Sequence, residues 1–460
     1  MKIEDLKNKL VAVLGYGQEG KAVAAYLLKH GIKPVLFDQK PWAEWGEEDQ
    51  NAIKTLKINF IFGPEAFLEL KGFDVAFRSP GIRISDVGQA RGLLNKPNKT
   101  TIFTSQTKWF FNNCPGKIIG VTGTKGKGTT SAMIYEMLKA GKFMTHLTGN
   151  IGMVQPLEIL DALSADDFIV YELSSFQLQD LDKSPRIGVV LMVTSEHLDY
   201  HKNISEYHKA KAAITKFQSA DDFSIINHDF PASKSIGALG KGKKLYFSRQ
   251  EQTKEDCFIK NDEVVIPGSN FKFPITKLQL KGRHNLENVC AASLAAFAVG
   301  CNAGAVKKVL GNFKGLEHRL EFVAEKQGIE FYNDSFSTTP ETAIAAIESF
   351  SEPLIVILGG SSKKSNFSAL AKTVVNAKNI KSIILIGQEA GKIKDSLLKA
   401  GFSKQKFLEG AGSMPEIFEQ VKATAKAGDV VLLSPACASF DMFPNYKNRG
   451  EQFKKCVKKW

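Results

Sequence analysis

Cysteine is sparse: six residues (Cys114, Cys257, Cys290, Cys301, Cys437 and Cys456) are scattered over 460 positions. None forms a CxxC pair or a Cys/His ligand spacing, which argues against structural zinc and for free thiols in a reducing cytoplasm. No apolar run approaches the ~20 residues that cross a bilayer, so no membrane partner is expected. No basic run with interleaved aromatics is present either, although the net charge is +13. The lysines are spread along the chain as a solvated surface, so no nucleic-acid partner is expected, and a polyanionic substrate accounts for part of the excess. Internal repeats, low-complexity tracts and heptad arrays are also missing, which excludes solenoids and long coiled coils. The opening MKIEDLKNKLVAVLGYG reads as the first strand of a domain rather than a secretory leader. A cytoplasmic monomer is the expectation.

What remains is an ordinary globular composition, 43% hydrophobic and 24% charged, long enough for about three domains. Short apolar strand candidates alternate with helical stretches, which predicts an α/β chain with mainly parallel sheets. The first unit reads strand 10–15, glycine turn, helix 20–31 and strand 34–38, a Rossmann-like start, with a further strand at 74–81. The stretch 94–116 reads as an interdomain passage. A second unit follows: strand 117–123, glycine loop, helix 129–141, then strands 168–173 and 188–194. Residues 234–272 read as irregular β structure ahead of a helix at 284–300. The third unit shows strands at 330–334, 353–360, 382–387 and 429–435, alternating with helices. The expected domains are 1–106, 107–315 and 316–460: a Rossmann-like domain, a central P-loop domain and a second Rossmann-like domain.

Two loops carry chemistry. Gly15-Tyr16-Gly17-Gln18-Glu19-Gly20 is a GxGxxG between a strand and a helix, with Asp38 ending the next strand. Such glycines bring backbone N–H groups to a pyrophosphate, and an acid at the second strand can hold a ribose. NAD, a UDP conjugate or a ligand-free turn all suit this pattern. The second loop, Gly123-Thr124-Lys125-Gly126-Lys127-Gly128-Thr129-Thr130, is more specific. Its N–H groups can cradle phosphates, Lys127 can neutralise β/γ oxygens and a hydroxyl can hold Mg²⁺. It departs from GxxxxGK[ST] in that Val121 stands for the leading glycine and Gly128 for the hydroxyl, which moves that duty to Thr129. Glu172, His197 and Asp199 follow strand ends, where ligands of open α/β sheets gather; a carboxylate and an imidazole there suit a second Mg²⁺ or equally a buried structural role.

These elements, in this order, resemble the Mur ligase family of amide-forming enzymes, and most closely its branch that adds glutamate to UDP-N-acetylmuramoyl-L-alanine. The resemblance runs through SPGI (79–82), GTKGKGTT, TGNIG (148–152), ELSSFQL (172–178), EHLDYH (196–201) and YHKAK (207–211). It continues through GRHNLEN (282–288), GLEHRLE (315–321), NDS (333–335), LGGSSKKSNF (358–367) and SPACASFDMFPNYKNRG (434–450). It implies that the three domains hold the UDP end, ATP and glutamate respectively. Lys127 and Thr129 would meet phosphate and Mg²⁺, and Glu172 and His197 a second Mg²⁺. Lys211 matches a lysine carbamylated in the family, which would make it a metal-bridging anion. Asn285 and Asn288 fall at adenine, and Arg319 and Asp334 at further nucleotide contacts. Gly15, Gly17, Asp38, Ser79, Gly81, Asn150 and Gln177 fall on the uridine side; Thr338, Lys363, Ser439 and Tyr446 fall at the glutamate pocket. The implied reaction passes through an acyl phosphate, with His197 a candidate base by location.

Two departures bear on this. Gly128 stands where the branch often has serine, and Phe336 where a lysine is usual. An L-glutamate-adding relative and a folylpolyglutamate synthase are the alternatives within the class, the latter opposed by SPGI, TGNIG and SPACASFD. The DNPR-like motif expected of a diaminopimelate-adding relative does not occur. An NAD(P) oxidoreductase leaves the second loop unexplained. A non-catalytic P-loop module is opposed by Glu172, His197 and Lys211 together.

Overall fold

The computed structural model describes residues 1–70, 72–83, 101–151, 154–194, 200–251, 256–280, 285–362 and 365–460. They form two compact units, Met1–Thr276 with Glu287–Val309, and Lys277–Leu286 with Leu310–Trp460. The first unit holds two parallel sheets. One contains β1 (Val11–Leu14), β2 (Val35–Asp38), β3 (Phe60–Phe62), β4 (Val75–Arg78) and β5 (Ile102–Thr104), in the order β3-β2-β1-β4-β5. The other contains β6 (Lys117–Thr122), β7 (Thr145–Gly149), β8 (Phe168–Glu172), β9 (Ile187–Val190), β10 (Phe223–Asn227) and β11 (Lys243–Phe247), in the order β11-β10-β9-β6-β8-β7. β1 and β6 each have neighbours on both sides that follow them in sequence, so each marks a switch point, where α/β sheets bind ligands.

The stretch expected as a passage is partly structural instead. β5 pairs in parallel with β4, and Gln106–Asn113 is a helix whose N-cap Ser105 accepts the Lys108 N–H. QTKWFFNN turns Trp109, Phe110 and Phe111 into a core that also contains Val11 and Val13 of β1, Ile169 and Tyr171 of β8. Burying each of those aromatics is worth roughly 2–3 kcal/mol, so the two sheets share one hydrophobic interior. The region expected as irregular resolves into the helix Pro231–Gly237, the edge strand β11 and a small antiparallel sheet of β12 (Phe258–Lys260), β13 (Glu263–Ile266) and β14 (Phe271–Pro274).

The second unit is built on a six-stranded sheet. Its strands are β15 (Glu321–Lys326), β16 (Ile329–Asn333), β17 (Leu354–Gly359), β18 (Ile380–Ile386), β19 (Phe407–Leu408) and β20 (Val430–Leu433), ordered β15-β16-β20-β17-β18-β19. Only β15 runs antiparallel. β17 is buried at every position, and separate apolar cores cover its two faces, which is why its sequence reads as an unbroken apolar run.

Candidate active site

The second glycine loop leaves the end of β6 and enters the helix Lys127–Ala140 through Gly126, whose φ is +83°. A Cβ at Gly126 would lie 2.2 Å from Asn288 Oδ1, so the position excludes any side chain. The first helical hydrogen bond is Thr130 N–H to Gly126 C=O; the N–H groups of Lys127, Gly128 and Thr129 therefore precede the internal ladder and are available to an anion. Thr124 is committed inward: its N–H donates to Met192 C=O, and its hydroxyl meets Tyr207 Oη at 3.1 Å and accepts from the Thr194 N–H. Lys125 is exposed at the loop's tip.

Four predicted residues converge on this loop. Lys127 Nζ donates to the Gly123 and Thr124 carbonyls at 3.1 and 3.0 Å, which centres the ammonium on the loop. Lys211, on the helix Ile204–Ala212, is buried, donates to Thr122 Oγ1 and Gly123 C=O, and lies 4.7 Å from the Tyr207 ring centroid. Glu172 ends β8 directly beside Val121 of β6; its Oε2 is buried with no hydrogen-bond partner. Thr129 is half-buried, whereas Thr130 is fully buried and spends its hydroxyl on Asn288 Oδ1. A carboxylate oxygen without a donor and a hydroxyl nearer solvent form an oxygen set that suits Mg²⁺. Asn288 thus braces the loop, while Asn285 is buried at the start of the helix Asn285–Ala298. Asn150 is exposed just past β7, its N–H directed at the Glu172 carbonyl. His197 and Lys363 lie outside the described residues.

The first loop is held differently. Gly15 has φ +84°, and a Cβ on Gly20 would fall 1.8 Å from the Gly15 carbonyl oxygen. Gly17 caps the helix Gln18–Lys29 with open space above it. Ser79 Oγ donates to Gly15 C=O. Gly81, two residues on, has open space where a side chain would be. Asp38 accepts from the N–H groups of Tyr16 and Lys40, 2.8 Å each, so its carboxylate already ties the two turns together. Gln177 is buried; its Oε1 accepts from the Ser174 N–H and hydroxyl, and its Nε2 donates to Glu19 Oε1 at 2.7 Å.

Sequence reasoning missed three residues here. Arg78 ends β4 fully buried, bonded to Asp180 at 2.8 Å and to the Ser79, Pro80 and Ile82 carbonyls, so it shapes the SPGI turn. Glu19 and Gln106 face each other beneath the loop. Burial pushes the Glu19 carboxyl up to about 7, against hydrogen bonding from Gln177 and Gln106. For Glu19, a carboxylate inside a loop otherwise free of charge was the available signal.

Within the second unit, Arg319 stacks its guanidinium 3.9 Å from the Phe336 ring centroid, and Phe336 meets Tyr446 edge-on at 5.0 Å. The residue that stands for the usual lysine therefore positions a cation rather than supplying one. Asp334 accepts from the Leu320 N–H and Ser434 Oγ, and burial pushes its carboxyl up to about 7. Thr338 is half-buried three residues after the NDS turn begins to close. Ser439 is buried, its carbonyl accepting from Met442 and Phe443. Arg449, also missed, is wholly buried and binds Ser335 Oγ and the Ser335, Cys437 and Ala438 carbonyls. It clamps the NDS and SPACAS loops together. Its spacing with Phe453 and Val457 on one helix face, i, i+4, i+8, places an arginine on the core stripe.

A phosphate loop at a sheet switch point, with two lysines and an unpaired buried carboxylate around it, defines a nucleotide-dependent enzyme of the P-loop type. Family models for the Mur ligase middle domain and the Mur ligase glutamate ligase domain match residues 121–296 and 318–437. The UDP-N-acetylmuramoylalanine–D-glutamate ligase of Acetivibrio thermocellus is 37% identical over 98% of this chain and 97% of its own. That of Clostridium tetani is 36% identical over 98% and 97%. A solved structure, the MurF ligase of Thermotoga maritima in complex with ADP, shares the fold at a TM-score of 0.58 and 18% identity, covering 100% of this chain and 97% of its own. The chain belongs to the Mur ligase family, in its UDP-N-acetylmuramoylalanine–D-glutamate ligase branch.

Proposed function

We propose that this chain is an ATP-dependent ligase that joins D-glutamate to UDP-N-acetylmuramoyl-L-alanine in the synthesis of peptidoglycan precursors. The observation that carries this reading is the convergence of Lys127, Lys211, Thr129 and the unpaired Glu172 oxygen on the second glycine loop. The relatives' shared name supplies the substrates.

A carboxylate is a poor acylating agent. The L-alanyl carboxylate attacks the γ-phosphate, the bond to the ADP oxygen breaks, and an acyl phosphate results. The helix N–H groups at Lys127–Thr129 bind the phosphates, and the Lys127 ammonium offsets charge as it gathers on the transferring group. Thr129 and Glu172 would hold Mg²⁺, which would supply further charge neutralisation at the phosphoryl oxygens. The glutamate amine then attacks the acyl carbonyl, and the tetrahedral adduct expels inorganic phosphate. We assign the uridine diphosphate end to the first glycine loop together with Asp38, Ser79, Gly81, Asn150 and Gln177. We assign glutamate recognition to Thr338, Lys363, Ser439 and Tyr446, with Arg319 and Asp334 toward the nucleotide. The residues 1–106, 107–315 and 316–460 are the corresponding domains, acting as a monomer in the cytoplasm. His197 and a carbamylated Lys211 complete the catalytic group.

The test is phosphate release with each component omitted in turn, D- and L-glutamate run in parallel, and folate as a control acceptor. Release should require ATP, Mg²⁺, UDP-N-acetylmuramoyl-L-alanine and D-glutamate together. Equal release without any uridine substrate overturns the assignment.

A further inference from the structure

The first glycine loop contains a group that a diphosphate site does not call for. Glu19 is the second residue of the helix Gln18–Lys29, at the end of a helix that attracts anions rather than at a place that disperses them. Its Oε1 accepts from Gln177 Nε2 at 2.7 Å. Its Oε2 is buried without a well-formed hydrogen bond, although the Gln106 side chain lies against the carboxylate, and Oε1 of Gln106 is buried with no partner. Both residues line one small cavity with Val13, Val23, Phe77 and Arg78, and that cavity has no room for a water molecule. Water therefore cannot supply the hydrogen that two neighbouring oxygens lack.

The surrounding charges do not hold the carboxylate ionised. Arg78 of β4 faces Glu19 but is paired with Asp180 at 2.8 Å, so the two largely cancel. Tyr171 of β8 is a neutral phenol held far above its ordinary range by burial. Lys21 on the same helix pairs with Asp49. Burial dominates, and the carboxyl titrates near 7.

We propose that Glu19 is a positioning residue that takes up a proton when the diphosphate of the uridine substrate seats on the first glycine loop, and that the neutral acid then keeps Gln177 and Gln106 in place beneath the bound anion. This rests on the assignment of that loop to the uridine diphosphate end. The proton comes from solvent and forms an O–H bond at Oε2. That hydroxyl donates to Gln106 Oε1, while Oε1 keeps its bond from Gln177, so every polar atom in the cluster is satisfied. Even a single net negative charge roughly 7 Å away repels an ionised carboxylate enough to change its proton affinity by about fiftyfold at an effective dielectric near 20.

Titration of UDP-N-acetylmuramoyl-L-alanine into the full chain at pH 8, in two buffers of different ionisation enthalpy, counts the protons. More than about half a proton should be taken up per substrate bound. The KM for that substrate should rise about tenfold between pH 7 and 8.5, without a matching change in kcat. Glu19→Gln keeps the shape and offers a permanent donor to Gln106, so it should abolish the uptake and flatten the KM profile. If the variant is merely less stable and keeps the wild-type pH profile, Glu19 is a packing residue and the proposal is wrong. Wild-type binding without proton uptake overturns this proposal alone. No binding at all overturns the assignment of the loop, and this inference with it.

Discussion

The first unit contains two glycine loops, each at the carboxyl end of a switch-point strand and each opening a helix, yet their charge is opposite. The first places Glu19 at the start of its helix, where Asp38 accepts the Tyr16 N–H, Ser79 donates to the Gly15 carbonyl and Gln177 donates to Glu19. The second places Lys127 there and adds Lys211 from below. The glycines give both loops the same backbone freedom and the same exposed N–H groups. On the proposed assignment, what separates a site for phosphoryl transfer from a site that only holds a diphosphate is the charge of the side chains that close each loop. The second loop sets the Lys127 ammonium at its centre. The first keeps a buried acid beneath it.

The comparison breaks most directly at Lys127. Lys127→Ala should lower kcat by about a thousandfold while circular dichroism and the thermal midpoint stay near wild type; activity above about a tenth of wild type would mean the phosphate is held elsewhere. Next is Glu172→Gln, which keeps the shape but loses the charge of the unpaired oxygen. Its kcat should fall about a hundredfold, with a raised Mg²⁺ requirement, and an unchanged Mg²⁺ titration would remove Glu172 from the metal site. Activity of the wild-type enzyme should vanish on chelation and return with added Mg²⁺.

The first loop gives a smaller effect of a different kind. Folding raises the Glu19 pKa from the ordinary carboxyl value to about 7, so the folded state binds the proton more tightly than the unfolded chain. Below pH 4 the group is protonated in both states and makes no difference. Its cost grows as pH rises through the unfolded value and levels off above about 7, on the order of 3 kcal/mol. Glu19→Gln should therefore gain stability over wild type in urea melts at pH 8 and not at pH 4; an equal difference at both values would show that burial of the charge is not the cause. Smallest is Thr130→Ala, which loses the bond to Asn288 and should cost about 1 kcal/mol of stability with Mg²⁺ dependence intact. Thr129→Ala should do the reverse, and a swapped pattern would return the metal hydroxyl to the buried position.

Much of the frame was legible in the order of residues. β1, β6, β8, β16, β17, β18 and β20 all fall on apolar runs that the sequence marks by itself, because strands buried on both faces need no alternation to announce them. β3, β5 and β7 were not read. FIF, IFT and THLTG are short, and pairing with a neighbour rather than pattern makes them strands. The helix Gln106–Asn113 was hidden for a related reason: its polar residues suggest a linker, and only the shared core shows that Trp109, Phe110 and Phe111 join two sheets.

The same division holds at the sites. Sequence alone marked the second glycine loop, the lysine at its centre and the glycine at 128 where a hydroxyl is usual, because backbone-mediated phosphate binding needs small residues and one cation at fixed local spacing. Tertiary structure decided everything that depends on partners distant along the chain. It brings Lys211 to Gly123, leaves one Glu172 oxygen unpaired, turns Phe336 into a platform for Arg319, and buries Arg449 between two loops. It also shuts the Glu19 carboxyl against Gln177, 158 residues away. Whether a carboxylate serves as a metal ligand, a loop tie or a proton acceptor depends on its burial and on which donors reach it, and neither is written in its neighbours.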